Sequence, residues 1–195
     1  MRYEKGRKDV SRGRILEIAS ERFRADGIAA SGIAGIMSDA GLTNGAFYPH
    51  FQSKSELVRE SVGAALDAQS HQLSEALAAG GPERAIDVYL SAAHRDNPGI
   101  GCASAALLPE VARQPLQTRE VYAERLATQV RQISAALPPQ TKDREDVALS
   151  LFATLIGALQ LARAVQETEF SDRILVVGAR AARALIDASQ DKAAS

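Results

Sequence analysis

Residues 31–54 read SGIAGIMSDAGLTNGAFYPHFQSK and predict a helix, a tight turn and a second short helix. Ser31 can cap the first helix, and apolar residues follow it at helical spacing. Gly41 stands where a left-handed residue can end a helix, and Thr43 can cap the second one. About three or four residues then separate the two helices, which is the spacing of a helix-turn-helix. The length of the turn therefore indicates the fold of this region.

The predicted second helix has two different faces. Phe47 and Phe51 are four residues apart and share one face, which is suited to packing. Tyr48 and the small polar residues Thr43 and Asn44 lie round the other side. Residues at the start of a recognition helix reach base edges in the major groove, and hydroxyl groups suit phosphate oxygens. One face is therefore predicted to pack and the other to contact DNA.

A further helix is predicted to open at Ser53, because Ser53 and Glu56 form the Ser-x-x-Glu pattern of a capping box. The positive end of that helix and the ammonium of Lys54 lie close together, and together they can hold a phosphate. Apolar residues continue at three-four spacing to Gly80 and Gly81, so the helix is about 25 residues long. We predict that it spans two domains as one rigid rod.

The run from Ala40 to Leu57, AGLTNGAFYPHFQSKSEL, resembles the DNA-binding signature of the TetR family of bacterial transcriptional regulators. The resemblance covers residues 11–60 well and the rest of the chain by architecture. It implies an all-helical homodimer whose N-terminal three-helix domains bind a palindromic operator and whose larger C-terminal domain binds a small molecule. It also matches His50 to the histidine of the signature, at the end of the recognition helix near a phosphate.

The expected DNA contacts are of two kinds. Thr43, Tyr48 and Lys54 are expected to hold phosphates, whereas Asn44 and Ala46 are expected to read bases. The full set of predicted DNA-binding residues is Ser31, Thr43, Asn44, Gly45, Ala46, Tyr48, His50 and Lys54.

The composition excludes several classes of protein. With 46% apolar and 24% charged residues among 195, the chain is typical of a soluble globular protein. Alternating apolar runs joined by hairpin turns are not found, so an all-α fold is predicted. One cysteine cannot form an internal disulfide, no apolar run reaches the roughly 18 residues of a membrane span, and no secretory signal is recognised. We therefore expect a cytoplasmic protein that does not contact a membrane.

The N-terminal arm, residues 1–14, carries six basic and two acidic residues, although the net charge of the whole chain is -1. By itself such an arm can be merely solvated. Beside a helix-turn-helix it can also contact phosphate or the minor groove. The first helix is predicted to be capped by Asp9 or Ser11 and to stop near Gly27.

The chain is predicted to form two domains, residues 1–54 with the basic arm and the helix-turn-helix, and residues 55–195 for ligand binding and dimerisation. Short broken helices between about 100 and 137 either wall a cavity or pack as a plain core. The last two helical segments, roughly 143–168 and 171–188, are apolar over more than one stripe and carry small residues. Ser171 is expected to cap the second of them, at the break between the two segments. They are predicted to form a four-helix dimer interface with a second copy, although both can instead be internal.

Candidate ligand-binding residues are polar or aromatic ones on inward-facing stripes, and core packing is the alternative for each. They are Tyr89, Cys102, Tyr122, Phe152 and Gln160. Cys102 lies in a Gly-Cys-Ala-Ser run, where it is either a reactive thiol or a small packing residue. The three histidines show no metal-ligand spacing, and no phosphate-binding glycine loop or nucleophile elbow is present. We therefore expect no enzyme, no metal and no cofactor.

These features predict a ligand-responsive transcriptional repressor, a homodimer that binds a palindromic operator in double-stranded DNA and responds to an unknown small-molecule effector. Pro49 leaves an alternative open, because it lacks the amide that would bond the carbonyl four residues back and should end or kink the recognition helix. The alternative is a small-molecule binding or thiol redox-sensing helical protein without sequence-specific DNA binding.

Overall fold

The computed structural model describes residues 2–191, with the side chains of residues 8–189. Within that range it has eight α-helices and no β-strand, which confirms the predicted all-α fold. The helices are α1 (Arg2–Asp26), α2 (Ile33–Asp39), α3 (Lys54–Tyr89), α4 (Ala92–Asp96), α5 (Ala103–Val111), α6 (Leu116–Ala136), α7 (Arg144–Ala164) and α8 (Thr168–Asp191). Two 3-10 turns, Asn44–Ala46 and Pro98–Ile100, lie between them.

The chain divides into two compact units, and neither is continuous in sequence. The first unit comprises Met1–Asp67 and Pro98–Ala123, and the second comprises Ala68–Asn97 and Glu124–Ser195. Helix α5 therefore belongs to the same unit as the helix-turn-helix region. The predicted boundary between a DNA-binding domain, residues 1–54, and a ligand-binding domain, residues 55–195, stays a prediction. The two compact units show which segments pack together and not what each domain does.

The first unit is built around one apolar core. Phe23 of α1 and the two phenylalanines Phe47 and Phe51 are at most 1% exposed. Leu107 and Val111 of α5 join the same cluster. Full burial of one such side chain stabilises a fold by about 1.5–3 kcal/mol, so α5 contributes substantially to the stability of this unit.

Two helices begin earlier than the sequence analysis expected. Helix α1 begins at Arg2 and runs through both of its expected caps. Helix α8 begins at Thr168, so Ser171 lies inside it and not at its cap. The Oγ of Ser171 donates instead to the carbonyl of Ala162 in α7, at 2.7 Å. A tertiary hydrogen bond has replaced the local one that a cap would make.

The predicted break at the end of the long helix is confirmed. Within α3 the backbone leaves helical geometry at Gly80 and Gly81. Pro82 follows directly, at a position where its missing amide is tolerated because the helix starts again there.

In the second unit, α7 packs along α8. The helices approach so closely at Gly178 that a Cβ atom built there would lie 2.5 Å from the Cβ of Ala158. Eight residues of α7 are buried. By length and composition alone α7 could cross a membrane, which corrects the expectation that no such apolar run exists. A helix that is covered on several sides by protein has the same composition.

Arg163 of α7 holds the short helix α4. Its Nη2 donates to the carbonyl of His94 at 2.7 Å, and its Nε donates to the carbonyl of Arg95 at 3.1 Å. These carbonyls lie near the end of a five-residue helix that cannot satisfy them itself. The Nδ1 of His94 is 2.7 Å from the carbonyl oxygen of Tyr89, and the two rings meet edge to face with centroids 4.8 Å apart.

Candidate DNA-binding site

The turn between the two motif helices forms as predicted. Helix α2 ends at Asp39, and Gly41 follows with a φ of 72°, in the left-handed region expected there. The amide of Gly41 donates to the carbonyl of Ser38 at 2.9 Å, and the amide of Leu42 donates to that of Met37 at 2.9 Å. These two bonds satisfy carbonyls at the end of α2 and reverse the chain within a few residues.

The recognition element is shorter than predicted. In place of an α-helix, the chain forms the 3-10 turn Asn44–Ala46, and the side chain of Thr43 before it makes no capping hydrogen bond within the described residues. Pro49 limits the length, because it has no amide to donate to the carbonyl of Gly45. The prediction that the recognition element ends before Pro49 is confirmed. The predictions that it is an α-helix and that the side chain of Thr43 caps it were wrong.

The recognition element nevertheless has the two faces that the spacing predicts. Phe47 and Phe51 are buried, and their rings stack with centroids 5.6 Å apart. Tyr48 is 69% exposed, and Thr43 and Asn44 are exposed beside it. Gly45 is also exposed and Ala46 is half-buried. The polar side chains therefore face solvent, while the two buried phenylalanine rings fix the recognition element to the core.

Two of the predicted DNA-binding residues make internal bonds. Ser31 is fully buried, and its Oγ donates to the carbonyl of Gly27 at 2.8 Å, while Gly32 takes the capping position of α2 that was expected for Ser31. Lys54 is half-buried, and its Nζ donates to the carbonyl of Ile28 at 2.7 Å. A phosphate contact from either side chain would require its internal bond to break, so both contacts stay predictions.

Helix α3 opens with the predicted capping interaction. The amide of Glu56 donates to the Oγ of Ser53 at 3.1 Å. The carboxylate of Glu56 reaches back to accept from the amide of Gln52 at 2.7 Å. Because both bonds are local, they place the start of α3 directly after the recognition element.

His50 lies in a positively charged environment to which α1 contributes. Burial lowers the pKa of His50, and the charges of Lys8 and Arg12 lower it further. Its Nδ1 is buried and has no hydrogen-bond partner among the residues that the structure describes. Arg12 also forms an ion pair with Glu60 and lies 4.7 Å from the centroid of the Phe51 ring. The sequence analysis placed Lys8 and Arg12 in a basic arm, and the sequence pattern does not reveal that their charges act on His50.

The remainder of the basic arm is only partly described. Its backbone from residue 2 continues α1. The side chains of Arg2, Lys5 and Arg7 lie outside the described residues. Contact of the arm with phosphate or with the minor groove therefore stays a prediction.

The family model for bacterial regulatory proteins of the tetR family matches residues 15–61, which contain all eight predicted DNA-binding residues. The transcriptional repressor KstR2 of Mycobacterium tuberculosis is 37% identical over 62 residues, which are 32% of this chain and 31% of that protein. KstR2 of Rhodococcus jostii is 28% identical over 149 residues, 74% of this chain and 73% of that protein. A TetR-family regulator from Cytophaga hutchinsonii has the same fold, with a TM-score of 0.76 at 19% identity over 94% of this chain and 96% of that chain. Over residues 15–61 the chain matches the TetR family, and its fold is that of TetR-family regulators.

The sequence similarity to TetR-family proteins is concentrated in the N-terminal part of the chain. The match spans about a third of the length of the Mycobacterium tuberculosis relative. The fold of the remainder agrees with that of the family through the solved structures.

Two of the predicted ligand-binding residues lie in the first unit. Cys102 is buried, and its Sγ caps α5 by accepting a hydrogen bond from the amide of Ala105. This is the environment of a packing residue and not of an exposed thiol. The hydroxyl of Tyr122 is 3.0 Å from the Oγ of Ser104, and burial raises the pKa of Tyr122.

The other three ligand candidates, Tyr89, Phe152 and Gln160, lie in the second unit. Phe152 is buried in α7, and the other two are half-buried. Two surface pockets of about 340 and 330 Å³ lie in the first unit beside the start of α3, and none of the five ligand candidates lines either pocket. Among the described residues, no group of three or more His, Cys, Asp or Glu side chains is placed to hold a metal ion.

Proposed function

We propose that this chain is a cytoplasmic, ligand-responsive transcriptional repressor that binds a palindromic operator as a homodimer and catalyses no reaction. One observation carries the proposal. The exposed groups of Thr43, Asn44 and Tyr48 are held on the buried rings of Phe47 and Phe51, inside the segment that the family model matches. The direction of regulation is supported by the relatives named as repressors.

The DNA contacts follow from the exposure of each side chain. Asn44 can bond a base edge through its amide group, whereas the hydroxyls of Thr43 and Tyr48 suit phosphate oxygens. Lys8 and Arg12 add positive charge that acts on His50, and this charge favours the same phosphate backbone. A phosphate near His50 would raise its pKa again, because it would offset the positive neighbours.

A second copy of the chain is the partner that the outer surface of α7 fits. Residues 147–162 contain no charged residue, although one side of this segment is open to solvent. Leu149 and Leu161 on that side are 50% and 61% exposed, and Phe170 at the start of α8 is 50% exposed. Soluble monomers rarely leave such a surface uncovered. A two-fold contact would bury α7 and α8 from both copies as a four-helix interface.

In this dimer the two recognition elements would enter successive major grooves, about 34–36 Å apart or a multiple of that distance. The effector would bind more tightly to an arrangement of the dimer whose spacing does not fit the operator. Such differential binding is sufficient to weaken repression, because it shifts the population between two states. The long helix α3 is the connection through which we expect this change to pass.

The experiment that tests the proposal is selection of binding sites from random duplex DNA by the purified protein at a fixed moderate salt concentration. Recovery of a palindrome with two half-sites is the expected result. Weak, salt-sensitive binding without a consensus would contradict the proposal, because it would show only the phosphate interaction that any basic surface makes.

Asn44→Ala makes the test residue-specific. This variant should lower the preference for the selected palindrome over a scrambled duplex by about tenfold, since one good base contact contributes about 1–3 kcal/mol of discrimination. Gln52→Ala is the matched control, because Gln52 is also an exposed amide but lies after the recognition element. If both variants prefer the palindrome over the scrambled duplex by the same factor, Asn44 does not read a base.

A further inference from the structure

Helix α5 is part of the unit that contains the helix-turn-helix, although it follows α3 and α4 in sequence. Ala103, Leu107 and Val111 of α5 are buried in the same apolar core as the helices of the motif. Arg24 of α1 also binds the 3-10 turn that precedes α5. Its Nε donates to the carbonyl of Gly99 at 2.6 Å. The DNA-binding unit is therefore discontinuous and includes a segment well outside residues 15–61.

Glu110 of α5 binds the turn between α1 and α2. The amide of Ile28 donates to its Oε2 at 3.0 Å, and the amide of Ala29 donates to its Oε1 at 3.1 Å. One carboxylate thus accepts bonds from two consecutive amides. Gly27 permits this approach, because it has a φ of 88° and a Cβ built on it would lie 3.2 Å from Oε2 of Glu110.

The same turn is also bound by α3. The Nζ of Lys54, the first residue of α3, donates to the carbonyl of Ile28 at 2.7 Å. Ile28 therefore has a carboxylate at its amide and an ammonium at its carbonyl. Both charges are favourable to the backbone dipoles that they meet, since hydrogen bonds to charged groups are stronger than those between neutral groups.

We propose that Glu110 is a positioning residue for DNA recognition. By holding Ile28 and Ala29, it sets where the chain leaves α1 and enters α2, and α2 in turn carries the recognition element through Gly41. The carboxylate touches no base or phosphate in this role. The inference rests on the proposed function, because it concerns the geometry with which this chain meets its operator.

Operator-specific binding should be more sensitive to Glu110 than non-specific binding. Base contacts require the recognition element to be placed accurately, whereas non-specific binding depends mainly on the summed positive charge. A loss of folded protein would weaken both kinds of binding equally. The ratio of the two affinities is therefore a readout that a merely structural role would not change.

The test compares the wild-type chain with Glu110→Gln and Glu110→Ala, using fluorescence anisotropy with the selected palindrome and with a scrambled duplex of the same length. The alanine variant should lose about tenfold in the specificity ratio. The glutamine variant should lose less, because its carbonyl oxygen can still accept one of the two bonds. Glu120→Gln, an exposed carboxylate on α6, controls for the change of charge.

Hydrogen exchange at the amides of Ile28 and Ala29 shows whether the carboxylate binds them in solution. Both amides should exchange faster in Glu110→Ala than in the wild-type chain. Unchanged exchange, or an unchanged specificity ratio in a variant that folds normally, would overturn the role of Glu110. Failure of the wild-type chain itself to prefer any sequence would instead overturn the proposed function.

Discussion

Gly178→Ala tests how tightly α7 and α8 pack. The new Cβ would lie 2.5 Å from the Cβ of Ala158 and 3.3 Å from the Cδ1 of Leu90, whereas carbon atoms pack best at about 3.5–4.0 Å. The Cβ of Ala158 belongs to a rigid helix and cannot rotate away, so the helices themselves must separate. Overpacking of this kind costs typically about 1–3 kcal/mol, and the shortness of this contact places it at the upper end.

The higher helix propensity of alanine offsets about 1 kcal/mol of that cost. The net expectation is a destabilisation of about 2 kcal/mol, which for a chain of this size lowers the Tm by about 4–8 °C. Gly13→Ala is the matched control, because Gly13 is also inside a helix but a Cβ built there has no atom within 4 Å. That variant should gain up to about 1 kcal/mol.

The assay is urea unfolding followed by circular dichroism, with all proteins at one concentration because dimerisation would make stability depend on concentration. Gly178→Ala and Gly13→Ala should move the unfolding midpoint in opposite directions. A Gly178→Ala protein as stable as the wild-type chain would refute the close approach of α7 and α8 at this position.

Three further outcomes are expected. Leu161→Glu should convert the dimer to a monomer in sedimentation experiments. Leu116 is equally exposed, at 61%, but lies on α6, so Leu116→Glu should leave the dimer intact. A Leu161→Glu protein that is still dimeric would place the interface elsewhere. Phe47→Ala should lower the free energy of unfolding in urea by about 3–5 kcal/mol. Tyr48→Ala should change it by only about 0.5 kcal/mol and should weaken operator binding. Similar losses of stability in the two variants would contradict the difference in burial between Phe47 and Tyr48. Burial lowers the pKa of His94 from its ordinary 6.5, so as the pH falls the unfolded chain binds a proton at His94 before the folded chain does. The stability that neutral His94 gives the folded chain should therefore be lost as the pH falls below about 6.5. His94→Gln should lose less stability between pH 7.5 and 5.5 than the wild-type chain, and equal losses would show that His94 is not responsible.

Local patterns predicted the elements that depend on neighbouring residues. The left-handed Gly41 and the Ser53 cap were both predicted, because a turn or a cap involves residues only a few positions apart. The buried pair Phe47 and Phe51 followed from helical spacing in the same way. Pro49 also correctly indicated where the recognition element ends, because a missing backbone amide acts within one turn.

The errors occurred where a residue had both a local and a distant partner available. Ser31 and Ser171 each looked like a helix cap, but Ser31 is buried under the turn after α1 and Ser171 bonds a carbonyl of α7. Both serines satisfy their hydroxyl groups in the folded chain, and local sequence does not show which partner will be nearby.

Periodicity, caps and turn residues act over short distances, so the helical fold, the helix-turn-helix and its resemblance to the TetR family could all be predicted from the sequence. In contrast, the segments that share a compact unit, and the charged groups that meet within it, became known from the folded structure. Glu110 lies far along the chain from Ile28 and Ala29, yet its carboxylate accepts their amides. Contacts of this kind exist only once the apolar core has brought α5 against α1, so no local pattern in the sequence can reveal them.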